Sequence, residues 1–149
     1  MSARDYFEDV RAAQRGIDRT LALMESMRSR ERTRAQRYDL IGRGKGPGAD
    51  PMAATDARID WERAHPASEL ARLEAEVADG RRVCAGVRAA NPRLRWADAL
   101  EWRYCEDRSW QEVAALMGVS VRCAHADAAA ALDWVDMVGV AAARGMAYS

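Results

Sequence analysis

The chain has 149 residues, with 23 basic residues balanced by 23 acidic ones and hydrophobic residues making up 49%. A length of this order is typical of one domain or two small ones. No apolar run approaches the ~20 residues needed to span a bilayer, and the charged N-terminus is unlike a signal peptide, so a cytoplasmic protein without membrane contact is expected. Alanine, arginine, glutamate, leucine and methionine are abundant and favour helix, which predicts an all-α fold.

The first predicted element is a long helix from about residue 3 to residue 37. Apolar and small residues recur along it at alternating spacings of four and three: Tyr6, Val10, Ala13, Ile17, Thr20, Met24 and Met27. This is a heptad seam, and a stripe so narrow needs a partner helix.

A linker of four glycines and two prolines follows over residues 42–51. Such a composition does not allow a continuous helix. A phosphate-binding loop is the alternative interpretation of these glycines and Lys45. It is disfavoured because no Lys-Ser/Thr pair follows and no strand precedes the loop.

The return helix starts near Met52, and a kink or break is expected at His65-Pro66, with Ser68 starting the longer piece. Its seam repeats the heptad spacing at Leu70, Leu73, Val77, Gly80, Cys84 and Val87. Two stripes on either side of a linker predict a long antiparallel helical hairpin over residues 1–91, through which the chain could also form a homodimer.

The second predicted domain covers residues 92–149 and contains three helices. The first runs from about Leu94 to Cys105. Ser109 and Glu112 form an S-x-x-E capping box that starts the second, Gly118 ends it, and Ser120 caps the third. Two helices joined by a short turn with glycine are typical of a helix-turn-helix. The expected core is Trp96, Leu100, Tyr104, Trp110, Val113, Leu116, Leu132 and Val135.

Residues 109–132 resemble region four of sigma-70-type transcription factors. The order of elements along the chain is similar to that of small phage and prophage proteins related to late-gene transcription regulators, which join a coiled coil to a region-four-like half. The resemblance implies a transcription regulator that acts on DNA, on host RNA polymerase, or on both. It also implies DNA contacts from Ser109, Gln111, Ser120, Val121, Arg122 and His125 on the turn and the third helix.

Charge complicates this expectation, because residues 92–136 hold five arginines against eight carboxylates, a net charge of −3. DNA affinity depends largely on phosphate neutralisation, so weak binding to DNA alone is expected. Asp127 stands where the family usually has an apolar residue, which predicts a rotated helix or an exposed carboxylate.

Positive charge is concentrated in residues 28–45, which carry a net charge of +5. Arg28, Arg30, Arg32, Arg34 and Arg37 are candidate phosphate contacts. A solvated helix end is the alternative, because basic residues also complement the dipole of a helix C-terminus.

No enzyme activity, cofactor or metal is expected. The two histidines lack a nucleophile partner in the sequence, and Cys123-x-His125 lacks further zinc ligands. The three cysteines are expected to be reduced. The alternative function is a phage structural or packaging protein, such as a small terminase subunit, that uses its helix-turn-helix for DNA or protein docking.

Overall fold

The computed structural model describes the backbone over residues 1–41 and 51–148, and side chains over 1–36 and 66–148. All regular structure in these residues is helical, which confirms the all-α prediction. The helices are α1 (Ala3–Ile41), α2 (Pro51–Ala90), α3 (Trp96–Leu100), a π-helical turn (Glu101–Cys105), α4 (Trp110–Met117), α5 (Val121–Val138) and α6 (Val140–Met146). Residues 42–50 of the predicted linker lie outside the described residues, as do the side chains of Arg37 and His65.

The chain divides into two compact units. Unit 1 combines Met1–Gly16 with Leu73–Ser149, and unit 2 is Ile17–Arg72. Unit 1 therefore includes residues from both sides of the predicted domain boundary at residue 91.

In unit 1 the start of α1 packs antiparallel to the end of α2. A Cβ atom placed on Gly16 would lie 2.9 Å from Leu73 Cδ1, and one on Gly80 would lie 2.8 Å from Val10 Cγ1. Residue numbers along α1 therefore increase while those of the facing residues on α2 decrease, as in an antiparallel pair. The two glycines let the helix backbones approach closely. A Cβ atom on Gly80 would press on the branched Val10 side chain, whereas one on Gly16 would displace the flexible end of Leu73.

The core of unit 1 includes large residues that the heptad pattern misses. Phe7 and Val83 are fully buried, while Tyr6 of the predicted seam is half-buried and its hydroxyl donates to Asp79. The Phe7 ring lies 5.6 Å from the Tyr104 ring. The contact face of α1 is wider than a two-helix seam because its first turns also pack against residues beyond α2.

Helix α2 continues through Pro66, so the break expected at His65-Pro66, as the alternative to a kink, is wrong. A proline in a helix interior removes one backbone hydrogen bond and costs roughly 3 kcal/mol. Helical turns continue on both sides of Pro66, and the stability of these turns outweighs the local penalty.

The helix predicted over 94–105 is present but changes type at Glu101. The amide of Glu106 donates to the carbonyl of Glu101 at 3.0 Å, the five-residue spacing of a π-helix. The wider turn buries Tyr104 and Cys105. It also places the Cys105 Sγ 4.0 Å from the Cys84 Sγ, and both thiols are free and buried.

Helix α6, which was not predicted from the sequence, packs closely on α2. A Cβ atom on Gly86 would lie only 1.6 Å from the carbonyl oxygen of Ala143. The side chain of Asp136, near the end of α5, accepts a hydrogen bond of 2.6 Å from the amide of Ala3. This carboxylate satisfies one of the unpaired amides at the start of α1.

Unit 2 has little buried surface among its described side chains. Ile17 is buried, whereas Thr20, Met24, Met27 and Leu70 of the predicted seams are only half-buried. Leu21 and Leu23 are about half exposed. Within the described part of the chain, none of the helices combines the length and apolar character required to cross a membrane.

Candidate nucleic-acid-binding surface

Ser109 is the N-cap of α4, as the sequence predicts. Its hydroxyl accepts a hydrogen bond of 3.2 Å from the amide of Glu112. The Glu112 carboxylate accepts from the same hydroxyl at 3.1 Å and from Arg108 at 3.3 Å. The cap fixes where α4 begins, and therefore which way its first residues, Trp110 and Gln111, project.

The turn between α4 and α5 has the predicted chemistry. Gly118 ends α4 with φ +69°, a left-handed conformation that glycine adopts without steric cost. Ser120 then caps α5, its hydroxyl accepting from the amide of Cys123 at 3.1 Å. The C-cap Gly118 and the N-cap Ser120, two residues apart, fix the turn between the two helices.

A small apolar core joins α4 to α5. Val113, Ala114 and Ala124 are its buried centre, and four half-buried residues pack against it: Trp102, Trp110, Met117 and Val119. Leu116 was expected in this core but is 47% exposed. Because α4 turns Val113 and Ala114 inward, Leu116 falls about 100° from the inward direction, on the flank of the helix.

The six predicted DNA-contact residues are all exposed and lie close together along the chain. Ser109 and Gln111 start α4, Ser120 precedes α5, and Val121, Arg122 and His125 occupy its first two turns. Ala126 and Ala129 continue the exposed face of α5. We call the exposed face formed by Val121, Arg122, His125, Ala126 and Ala129 the outer face of α5.

His125 is the only member of the outer face with an aromatic partner among the described residues. Its imidazole stacks on the Trp110 indole, with ring centroids 3.9 Å apart and planes 28° apart. The guanidinium of Arg103 lies 4.6 Å from the centre of the same indole and donates to the Arg108 carbonyl at 3.0 Å. The sequence does not predict this arrangement. Arg103 belongs to the π-helical turn, which was not expected, and its guanidinium lies over the Trp110 ring.

Asp127 lies on the inner side of α5, where its carboxylate pairs with Arg95. The Arg95 Nε donates to Asp127 Oδ2 at 3.0 Å, and the Asp127 side chain is only 18% exposed. The expected exposed carboxylate is therefore wrong. A salt bridge to the residue before α3 compensates the partly buried charge instead.

Most of the excess acidic charge of residues 92–136 is paired with arginines of α1 and α2. Asp107 accepts from Arg11 and Arg15 at 2.7 and 3.1 Å. Glu101 pairs with Arg81 and Arg88 at 3.0 and 2.8 Å. These partners are distant in sequence, so a local count of charge overstates the negative field near α5.

No carboxylate occurs between Glu112 and Asp127, and each of these two is held by an arginine. Arg122 has no ion-pair partner among the described residues. The start of α5 therefore presents an uncompensated guanidinium on a surface of small and apolar side chains, which is suited to an anionic partner.

Four of the five arginines predicted to contact phosphate are exposed on α1. Arg28 and Arg32 share Glu25, at 4.0 and 3.1 Å. Arg30 and Arg34 have no ion-pair partner in the described part of the chain. Arg37 belongs to α1, but its side chain lies outside the described residues.

Among the described side chains, no group of three or more His, Cys, Asp or Glu residues is placed to hold a metal ion. Cys123 contacts Arg95 and Asp127, with its Sγ 3.2 Å from Arg95 Nη2.

Comparisons with protein-family models, curated proteins and solved structures find no match to this chain.

Proposed function

We propose that the protein is a transcription regulator of the phage or prophage type that binds duplex DNA through the outer face of α5. The observation that carries this proposal is the unpaired Arg122 on an exposed helix that is preceded by a capped helix and a glycine turn. An exposed helix of this kind fits the major groove, where an arginine can recognise the guanine edge.

The arrangement of charge supports weak binding by this face alone. Within residues 113–126, the charged or titratable groups on the exposed face are Arg122 and His125. One guanidinium releases few counterions, so the affinity for duplex DNA is low unless a second surface contributes. Arg30 and Arg34 on α1, or a contact with host RNA polymerase in the cytoplasm, would provide that second contribution.

The proposal is tested by measuring binding to promoter-containing duplex DNA with and without RNA polymerase over a series of salt concentrations. We expect weak binding that falls steeply with salt and is strengthened by polymerase. Polymerase should also be recovered with the tagged protein from host lysate. Salt-insensitive binding, or no binding in either condition without recovery of polymerase, would contradict the proposal and favour a packaging or structural protein.

The arginines of α1 and α5 should have separable effects. Arg30→Ala and Arg34→Ala remove the unpaired charges proposed to contact phosphate, so they should weaken binding to all sequences alike. Arg122→Ala should instead reduce discrimination between sequences, because its guanidinium contacts base edges.

A further inference from the structure

The Trp110–His125 stack lies at an exposed helix face. An exposed histidine normally samples several side-chain rotamers, and ordering it on binding costs free energy. Ala129, the exposed residue one turn further along α5, is too small to restrain it. The Trp110 ring, stacked at 3.9 Å, provides that restraint.

Trp110 is itself held from three directions. Ser109 fixes the start of α4 through its cap, and Trp110 follows as the first residue of the helix. The indole packs against the core of Val113, Ala114 and Ala124. Arg103, anchored on the Arg108 carbonyl, contacts the ring at 4.6 Å. An indole restrained in this way can hold a second ring in one orientation.

We infer that Trp110 is a positioning residue for base recognition, holding the His125 imidazole so that a ring N–H donates to N7 of a purine in the major groove. The inference rests on the proposed function. N7 is an acceptor that both purines present in the major groove, and an imidazole always carries at least one N–H donor. Trp110 itself need not touch DNA.

The test begins with selection of preferred sequences from a pool of randomised duplex DNA by the full-length protein. The enriched duplex is then prepared with 7-deazaguanine or 7-deazaadenine at single positions, which replaces N7 by C–H. For the unmodified protein, we expect one purine at which this replacement weakens binding about fivefold to tenfold.

The variants separate positioning from folding. His125→Ala should abolish the effect of the deazapurine, and Trp110→Leu should abolish it as well, whereas Trp110→Phe should retain it because phenylalanine still stacks. Trp102→Leu is the matched control, because Trp102 packs on the same core without a ring contact to His125 in the described residues. It should retain the effect. Melting temperatures establish that each variant is folded.

A double variant provides the decisive comparison. If Trp110 acts through His125, adding Trp110→Leu to His125→Ala should change discrimination no further. A full deazapurine effect in Trp110→Leu would overturn the inference, and so would an additional loss of discrimination in the double variant. Failure of the unmodified protein to enrich any sequence, both with and without RNA polymerase, would instead contradict the proposed function itself.

Discussion

Leu116 and Leu100 are the same residue type in opposite surroundings. Leu116 is 47% exposed on the flank of α4, and Leu100 is fully buried at the end of α3. We expect Leu100→Ala to lower the free energy of unfolding by about 2–5 kcal/mol, and Leu116→Ala to change it by less than about 1 kcal/mol. Chemical denaturation of both variants measures the difference. Equal losses would show that α4 is rotated from the described orientation.

Gly86 and Gly145 make a second matched pair. A Cβ atom on Gly86 would overlap the Ala143 carbonyl, whereas one on Gly145 meets nothing within 4 Å. Gly86→Ala should therefore displace α6 and destabilise the protein by about 1–3 kcal/mol or more. Gly145→Ala should be neutral or slightly stabilising, because alanine favours helix. Thermal unfolding measures both, and a stable Gly86→Ala variant would contradict the close packing of α6 on α2.

Residue-scale predictions succeed where the cause is local. Ser109, Gly118 and Ser120 act on backbone groups within three residues, so the sequence alone indicates their roles. The partners of Asp127 and Cys84 are Arg95 and Cys105, more than 20 residues away. Such contacts depend on the tertiary fold, and spacing rules do not predict them.

At the scale of elements, the glycine turn determines how α4 meets α5. Gly118 has φ +69°, a region that costs an L-residue about 1–2 kcal/mol. Gly118→Ala should lower the free energy of unfolding by about that amount, and Gly118→Asn by less, since asparagine tolerates this region better. Denaturation curves of the two variants test this. A neutral Gly118→Ala would mean that the turn does not require a left-handed residue.

Element boundaries were predicted less well than element type. The helix at 94–105 was expected as regular α-helix, but its last five residues form a π turn that points Arg103 at Trp110. The break expected at Pro66 is absent, because local propensity does not include the stability that the neighbouring turns supply. Phe7 was missed for a related reason, since the heptad rule assumes a single partner helix.

Within unit 1, a polar cluster joins α1, α2 and α6. Both carboxylate oxygens of Asp79 accept hydrogen bonds of 2.7 Å from the Arg144 guanidinium. Asp79 also accepts a hydrogen bond from the Tyr6 hydroxyl. The hydrogen bonds from Arg144 lower the pKa of Asp79 below its ordinary value of 3.8. Burial, followed by the hydrogen bond to Asp79, raises the pKa of Tyr6.

The Asp79 carboxylate should make stability depend on pH in the acid range. A lowered pKa in the folded state contributes stability above the ordinary pKa, and this contribution is lost as pH falls below about 4. Asp79→Asn should therefore cost about 1 kcal/mol at pH 7, with the difference from the unmodified protein shrinking towards pH 3. Asp133→Asn, at an exposed carboxylate of α5, is the control. A pH-independent difference would contradict the ionic role of Asp79.

For the molecule as a whole, the distribution of charge matters more than its net value. Arginines of α1 and α2 neutralise carboxylates of the region before α4, and Arg122 remains unpaired at the start of α5. The net charge of the chain gives no sign of this arrangement. The pairing seen in the structure is what makes the outer face of α5 our candidate surface for an anionic partner.

The assignment of this face is tested most directly by the ratio of affinities for an enriched duplex and an unrelated duplex, measured with Arg122→Ala. Arg82→Ala, at an exposed arginine of α2 outside the outer face, removes the same charge as a control. We expect Arg122→Ala to lower the ratio about tenfold and Arg82→Ala to leave it unchanged. An unchanged ratio in Arg122→Ala, or the same loss in both variants, would contradict recognition through the outer face of α5.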